Sequence, residues 1–565
     1  MESRLDRALE EINKAIYECT HHTLGKVYLK IMLDNIYTTH SGQHQLIYIY
    51  DLKETVYKLI PSDSFRHLIS CNLIDIFDCY KKRALLEIVE LRRRNSNIKK
   101  IETAEEKVKL ITTACKKSQD ITFCKNILED VFNNHQIYRV NLLNNFDSRM
   151  DVVNFQNGMV NLKTGSFRKR KCTDLFTKTL DYEFEHAEHI EDKKPFEVIE
   201  DSFMKISNND PEQIEGYKEW FGYCMTEFID EQISFWSIGK KASEGKSTIV
   251  EAFDSMFHIY CRKLNYETFN KKFQKRYKQF AELEKIRFAW MEEIDRSKLD
   301  VQALKDCIGA ENIGGNEIMY GTSKDIRIYF KLMFISNNNP KFTNDNGMKR
   351  RGLCMVHTNR FVSQDVYDKS PDKTCLYVKD TKLKKLFKTE EYKLALFNIL
   401  LPYAQRYYES KTLTNTDIFR TNWEDICCEN DQMAQFLENN YIETKNKDDI
   451  IHKDVFLNEY QKYFNLNNIS WNTILSDIHR LGINYDRMKK RTISIKNGNT
   501  ETKKQLRGFI IGYKSNVIII THPSNNGDVI IESKDTCEHD IDIDSDYDLS
   551  SGSEIIMTDL AIKNI

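Results

Sequence analysis

The run QISFWSI, Gln232 to Ile238, is short and apolar and stops at a glycine. The ten residues GKKASEGKST, Gly239 to Thr248, then lead into KSTIVEAFDSMF, whose apolar residues recur with a helical period. A strand, a glycine-bearing loop and a helix in this order form the context that a phosphate-cradling loop requires. Glycine lets the backbone approach the phosphates, and the first turn of the helix offers unpaired N–H groups and a partial positive charge. The expected spacing is a glycine, four residues, then Gly-Lys-Ser/Thr. Here five residues separate Gly239 from Gly245, and Lys240 stands where the first glycine is expected. The loop therefore reads as one residue longer on the Gly239 side, with Gly245, Lys246, Ser247 and Thr248 in place. In that reading Lys246 reaches the β- and γ-phosphates of ATP and Ser247 ligates Mg²⁺. A surface loop containing Gly-Lys-Ser by chance is the alternative.

Two later segments bear on that choice. The apolar run KIRFAWM ends in Glu292-Glu293, about forty-six residues after Lys246. A carboxylate pair there can hold hydrated Mg²⁺ and orient an attacking water. An exposed acidic turn after a strand has the same appearance. The run FKLMFIS ends at Ser336-Asn337. An amide at that point can touch the γ-phosphate or its water, although asparagine clusters also mark turns. The segment NDNGMKRRGL follows, with Arg350 and Arg351. Phosphoryl transfer gains from an arginine that neutralises charge in the transition state; a solvated basic turn is the alternative. Each segment alone is weak, and their order and spacing together are strong.

The set GKKASEGKST, FAWMEE, KLMFISNNNP and DNGMKRR resembles the superfamily 3 helicase core. It is similar in particular to the helicase part of poxvirus-type primase–helicases of large DNA viruses and their phage relatives. Upstream, NFQNGMVNLKTG resembles the segment that precedes the ATPase in those proteins. The resemblance implies a multidomain α/β chain: a helical N-terminal domain with a β-hairpin (1–194), an AAA+-like P-loop ATPase core with a central sheet (195–365), a helical lid or connector (366–424) and a winged-helix-like domain (425–515). It implies a hexameric ring that hydrolyses ATP with Mg²⁺ and moves on single-stranded DNA to open a fork in viral genome replication. The implied roles are Lys246 and Ser247 in the loop, Glu292 and Glu293 as the acidic pair, with Glu292 and Ser247 on the metal, Asn337 as sensor, and Arg350, with Arg351 as a second candidate, as a finger acting on the neighbouring subunit. A DNA-contacting hairpin is implied within 309–330, with Lys324 at its tip. Residues 1–150 show no catalytic acidic cluster, so priming is expected from a separate primase. The expected location is the host cytoplasm, in a viral replication compartment, or the nucleus, and not outside the cell.

At 565 residues several domains are expected. The 83 basic and 85 acidic side chains nearly cancel, so a nucleic-acid partner must be met by local patches. No run of about 18 apolar residues occurs, so no membrane span is expected. The fourteen cysteines form no CxxC pair and read as reduced thiols without structural zinc. Residues 1–130 read as mostly helical, with QLIYIYDL, Gln45 to Leu52, as the main strand; Asn157-Gly158 and Thr164-Gly165 mark turns of a hairpin.

For DNA contact, FNKKFQKRYKQF, Phe269 to Phe280, mixes basic and aromatic residues, but inward-packed aromatics are the preferred reading of that stretch. The better site is the basic run Arg487, Lys489, Lys490 and Arg491 near the end of the last folded domain. Residues 516–565, which include acidic positions from Glu532 to Asp548, read as a mostly disordered tail. Two rival functions share parts of this pattern. One is a ring ATPase that remodels protein or packages DNA. The other is a DNA-binding initiator or scaffold whose altered loop has weakened or lost hydrolysis.

Overall fold

The N-terminal third obeys its helical periodicity. Helices Leu9–Glu18, His21–Met32, Ser62–Arg93, Ile98–Lys117 and Ile121–Phe132 bury one core that includes Ile12, Tyr28, Phe65, Leu73 and Phe77. The expected strand is the middle member, β2 (His44–Asp51), of an antiparallel sheet. Its neighbours are β1 (Ile36–Ser41) and β3 (Val56–Ile60), which were not anticipated. This computed structural model describes residues 6–515 apart from 7, 33–34, 42–43, 96, 135, 240, 242, 266, 270–279, 281–282, 294–298, 310–311, 317–323, 343–345, 467–468 and 498–499. Most of the 269–280 basic-aromatic stretch and all of the acidic tail thus lie outside the described residues, while Phe269 and Phe280 at the ends of that stretch are buried. Among the described residues no helix is long and apolar enough to cross a membrane.

The two glycine turns lie within an antiparallel sheet of β4 (Val152–Asn154), β5 (Met159–Asn161) and β6 (Phe167–Arg168). Its loops are fixed by asparagine side chains: the Asn161 carboxamide oxygen accepts from the N–H groups of Lys163 and Thr164, at 2.9 and 3.1 Å. The buried guanidinium of Arg170 ties this sheet to the first one. It donates to the carbonyls of Glu54, Thr55, Phe155, Gln156 and Gly158 and to the Asn154 side chain. Arg170→Ala would remove a donor from each of these oxygens, and those left unpaired where water cannot reach, such as the Phe155 carbonyl and the Asn154 side chain, would cost about 1–3 kcal/mol each. We expect a loss of about 3 kcal/mol or more of unfolding free energy in urea. A change below about 0.5 kcal/mol, the usual size at an ordinary surface position, would show that Arg170 is no structural knot.

The central sheet is parallel, with strand order β13-β7-β12-β9-β8. Its members are β7 (Ser234–Gly239), β8 (Cys261–Lys263), β9 (Phe288–Glu292), β12 (Lys331–Ser336) and β13 (Gly352–His357). Every residue of β7 and β12 is buried, because helices and aromatic side chains cover both faces. Alternation sends Phe235 and Met333 to one face, against Tyr217, Trp220 and Phe221 of the helix Pro211–Cys224 and against Val250 and Phe253 of the helix Lys246–Met256. On the other face Trp236 stacks on Phe334 and Trp423, with ring centres 4.2 and 5.2 Å apart.

Between β9 and β12, β10 (Asn312–Asn316) and β11 (Lys324–Arg327) pair as an antiparallel hairpin. Lys324, expected at the tip, heads the returning strand opposite Asn316; its side chain and residues 317–323 lie outside the described residues. After β13 come β14 (Arg360–Val362) and β15 (Leu376–Val378), a parallel pair missed in the sequence, and then the long helix Glu390–Ser410.

The chain divides near residue 423. The second unit has its own core of Phe436, Phe456, Tyr460, Ile474, Ile478 and Ile510. Three helices, Gln432–Asn440, Lys453–Tyr463 and Trp471–Arg480, accompany two sheets. β16 (Tyr441–Glu443) pairs with β20 (Tyr513–Ser515). β17 (Ile450–His452) lies beside β19 (Thr500–Ile511), which forms a long hairpin with β18 (Tyr485–Asn497). Arg480 clamps Asp431 with two hydrogen bonds, at 2.5 and 2.8 Å, and Asp431 also caps the first helix.

Candidate nucleotide-binding site

Parallel strands present their C-terminal ends together, and β7, β12 and β9 are consecutive neighbours in the sheet. Ser336 pairs with Ile238, and Ile335 with Glu292. That register brings the ends of three chain segments, far apart in sequence, to one edge. The loop after β7, Glu292-Glu293 after β9 and Asn337 after β12 line a single cleft of about 750 Å³. Such a volume suits a nucleotide-sized ligand.

Gly245 stands immediately before the helix Lys246–Met256 with φ +83°, a left-handed conformation in which a side chain is strained. Lys246 is the first helical residue and is buried. Its ammonium donates to the Asn337 carboxamide oxygen at 3.1 Å and is paired with the Glu244 carboxylate. The loop is held from behind, where Phe361 N–H donates to the Ser243 carbonyl and the Asn359 amide donates to the Glu244 carbonyl, at 2.8 and 2.9 Å.

Ser247 and Glu292 both line the cleft, with the serine hydroxyl near enough to stabilise the charged carboxylate. Glu292 also accepts from Lys263 of β8 at 2.5 Å. Burial pushes the Glu292 carboxyl up, but the hydrogen bonds from Lys263 and Ser247 and the charges of Lys263 and Lys384 outweigh it. The net effect holds this carboxyl below its ordinary value. A charged carboxylate beside a hydroxyl is a hard-oxygen pair that fits Mg²⁺ carried with phosphates. Glu293 is exposed and its backbone is left-handed, φ +59°, with its N–H donating to the Ile335 carbonyl at 3.1 Å. A non-glycine residue held this way at a strand end costs roughly 1 kcal/mol or more, and it turns Glu293 away from the direction the strand would impose.

The cleft has walls that no local motif indicated. Val198 and Ile206 come from the helix Lys194–Ile206, Phe361 from β14, Val378 from β15, and Lys384 from the short helix that follows. The only sequence sign was that 366–424 read as helical and adjoined the core. Thr248 also lines the cleft, whereas Gly239 does not and lies instead against the Glu244 carboxylate. Arg350 and Arg351 do not line it. They precede β13, whose first residue pairs with Ser234 at the far end of β7, roughly 20 Å of strand from the loop. Arg350 is exposed, while Arg351 donates to the Gly347 carbonyl at 3.1 Å and packs toward Gly309.

Behind the loop, His357 at the end of β13 hydrogen-bonds Ser237 Oγ through Nε2 at 2.7 Å. Burial, with the Lys246 charge adding to it, lowers its pKa to about 3. Unfolded chain takes up a proton near the ordinary value of 6.5, and the folded chain does not until about pH 3. The stability His357 contributes is therefore full above pH 6.5 and is lost as pH falls from there toward 3. Thermal unfolding of wild type against His357→Gln should show a gap that closes, or reverses in favour of the variant, over that window. A gap constant with pH would contradict it.

In the second unit, Asp486 accepts from the N–H groups of Met488 and Lys489, and the strand register shifts between Asp486 and Lys490. This bulge separates the basic run. Arg487 and Lys490 are exposed, the Lys489 ammonium is held by the Lys447 carbonyl at 2.9 Å, and the Arg491 side chain lies outside the described residues.

Residues 11–221 match the family model described as D5 N terminal like, and residues 237–351 match a family of unknown function. The first match, over less than half of the chain, supports a relationship to D5-type primase–helicases. No curated protein matches. Among solved structures, the A form apo structure of the NrS-1 C-terminal region is 10% identical, covers 86% of this chain and 99% of its own, and superposes with a TM-score of 0.42. A second apo structure of that region gives 10%, 86%, 98% and 0.43.

Proposed function

We propose that this chain is the ATP-driven helicase component of a D5-type primase–helicase system that works on DNA during genome replication. The observation that carries the proposal is the meeting of Lys246, Ser247, Glu292, Glu293 and Asn337 in one cleft at the ends of three adjacent parallel strands. The strand order supports an AAA+-like P-loop core of superfamily 3 type. Lys246 would bind the β- and γ-phosphates, and the Ser247 hydroxyl and Glu292 carboxylate would hold Mg²⁺. The metal, when bound, supplies neutralisation of phosphate charge. Glu293, exposed at the cleft, would orient and deprotonate the attacking water, and Asn337 would report the γ-phosphate.

The distance of Arg350 from its own cleft favours a finger acting on the neighbouring subunit of a ring, with a hexamer as the expected assembly. The hairpin β10–β11, with Lys324, and the exposed Arg487 and Lys490 of a winged-helix-like second unit are the proposed contacts to single-stranded and forked DNA. A separate primase would supply primers. The family relationship suits a large DNA virus, with replication in the host cytoplasm or nucleus.

A second reading is a DNA-binding initiator or scaffold with lost hydrolysis, and the pairing of Lys246 with Glu244 is the observation in its favour. The deciding experiment is phosphate release from ATP by the full chain with and without single-stranded DNA, followed by unwinding of a forked duplex. DNA-stimulated turnover and strand separation support the motor. DNA binding and assembly with no turnover would leave the scaffold.

A further inference from the structure

Glu244, the one acid of the stretch Gly239 to Thr248, was not singled out by its sequence. It is 2% exposed. Its carboxylate turns back into the loop, where Oε1 accepts from the Lys241 N–H at 2.8 Å and Oε2 pairs with the Lys246 ammonium. It lies directly against Gly239, so that a Cβ built there would overlap the carboxylate. A loop N–H, a lysine ammonium and a glycine floor are the features that a phosphate-binding loop offers to phosphate. Here a carboxylate of the same loop already uses them.

We propose that Glu244 is a built-in anion of this loop, which holds Lys246 in the nucleotide-free protein and competes with an incoming polyphosphate. The inference rests on the nucleotide-site reading above. A polyphosphate needs Lys246, and drawing that ammonium away leaves a buried carboxylate with only a backbone N–H. Uncompensated burial of charge is costly, so binding must either expel Glu244 from the hollow or leave Lys246 shared between two anions. Either route weakens affinity for phosphates and leaves affinity for the nucleoside part unchanged, because the apolar side chains of the cleft wall, among them Val198, Ile206 and Phe361, carry no charge for the Glu244 carboxylate to act on. Gly239 has a role in this arrangement that a simple approach of backbone to phosphate does not require: it makes room for the carboxylate.

Glu244→Gln keeps the shape and the acceptor for Lys241 N–H but removes the charge. Calorimetric titration of the full chain with ATP and Mg²⁺, with pyrophosphate, and with adenosine tests the idea, with Lys246→Ala as control. We expect Glu244→Gln to bind ATP and pyrophosphate about tenfold or more tighter than wild type, as befits loss of a charged hydrogen-bonded competitor, and adenosine equally well. Glu244→Ala should move in the same direction, which covers the case in which Gln is not tolerated. Lys246-dependent ATP binding by wild type with unchanged or weaker binding by both Glu244 variants would overturn the inference and leave the nucleotide site standing. Absence of Lys246-dependent binding in wild type and in both variants would overturn the nucleotide-site reading and the inference with it.

Discussion

Lys246→Ala is expected to reduce ATP turnover by at least about 100-fold, the scale seen when one well-placed electrostatic donor is removed from a transition state. The side chain sits at the first residue of the helix Lys246–Met256, buried, between Glu244 and Asn337. No other cation among the described residues bonds to both the loop and the β12 end. Its removal also leaves Glu244 buried without its ammonium, so this variant should lose stability as well as turnover. The two effects separate in the double variant Lys246→Ala/Glu244→Gln, which should recover thermal stability and remain inactive. Steady-state phosphate release with single-stranded DNA measures the first effect and calorimetric unfolding the second. Turnover of Lys246→Ala within tenfold of wild type would remove this lysine from the chemistry.

The second large effect is expected at Arg350. Arg350→Ala should lower turnover by about 10³-fold or more, the usual contribution of an arginine finger, with ATP binding unchanged. Geometry motivates both halves of that statement. Arg350 is exposed before β13, at the end of the sheet opposite to the loop, and does not line the cleft of its own chain. In the proposed ring it would act on the cleft of a neighbouring subunit. Mixing Arg350→Ala with Lys246→Ala protein should therefore restore part of the activity, since mixed rings of the proposed kind would contain interfaces with one intact loop facing one intact finger. Mixtures as inactive as their components would exclude action in trans. Arg351→Ala should instead cost stability, because that guanidinium is bonded to Gly347 and packed toward Gly309 within its own fold.

These two arginines mark where sequence reasoning stops. Adjacent in the chain and identical in type, they are indistinguishable by pattern, and only packing turns one inward and leaves the other exposed. The basic run in the second unit behaves alike: a bulge stabilised by Asp486 separates exposed Arg487 from carbonyl-bound Lys489. The same limit applied to β1 and β3. Their short, partly polar runs acquire meaning only beside β2, because strand pairing is a contact between distant segments.

What the sequence determined by itself was the set of local elements. Short apolar runs ending at Gly239, Glu292 and Asn337 read as buried strands, and the period of KSTIVEAFDSMF reads as a helix after the loop. Those signals depend on neighbours a few residues away. The tertiary structure alone decided the strand order that brings the three ends to one edge. It alone supplied Val198, Ile206, Phe361 and Lys384 as walls, and it folded Glu244 onto Gly239 and Lys246. The physical reason is that periodicity records which face of an element is buried, whereas the partner that buries it, and the side chain that enters a cleft, are set by packing between segments tens to hundreds of residues apart.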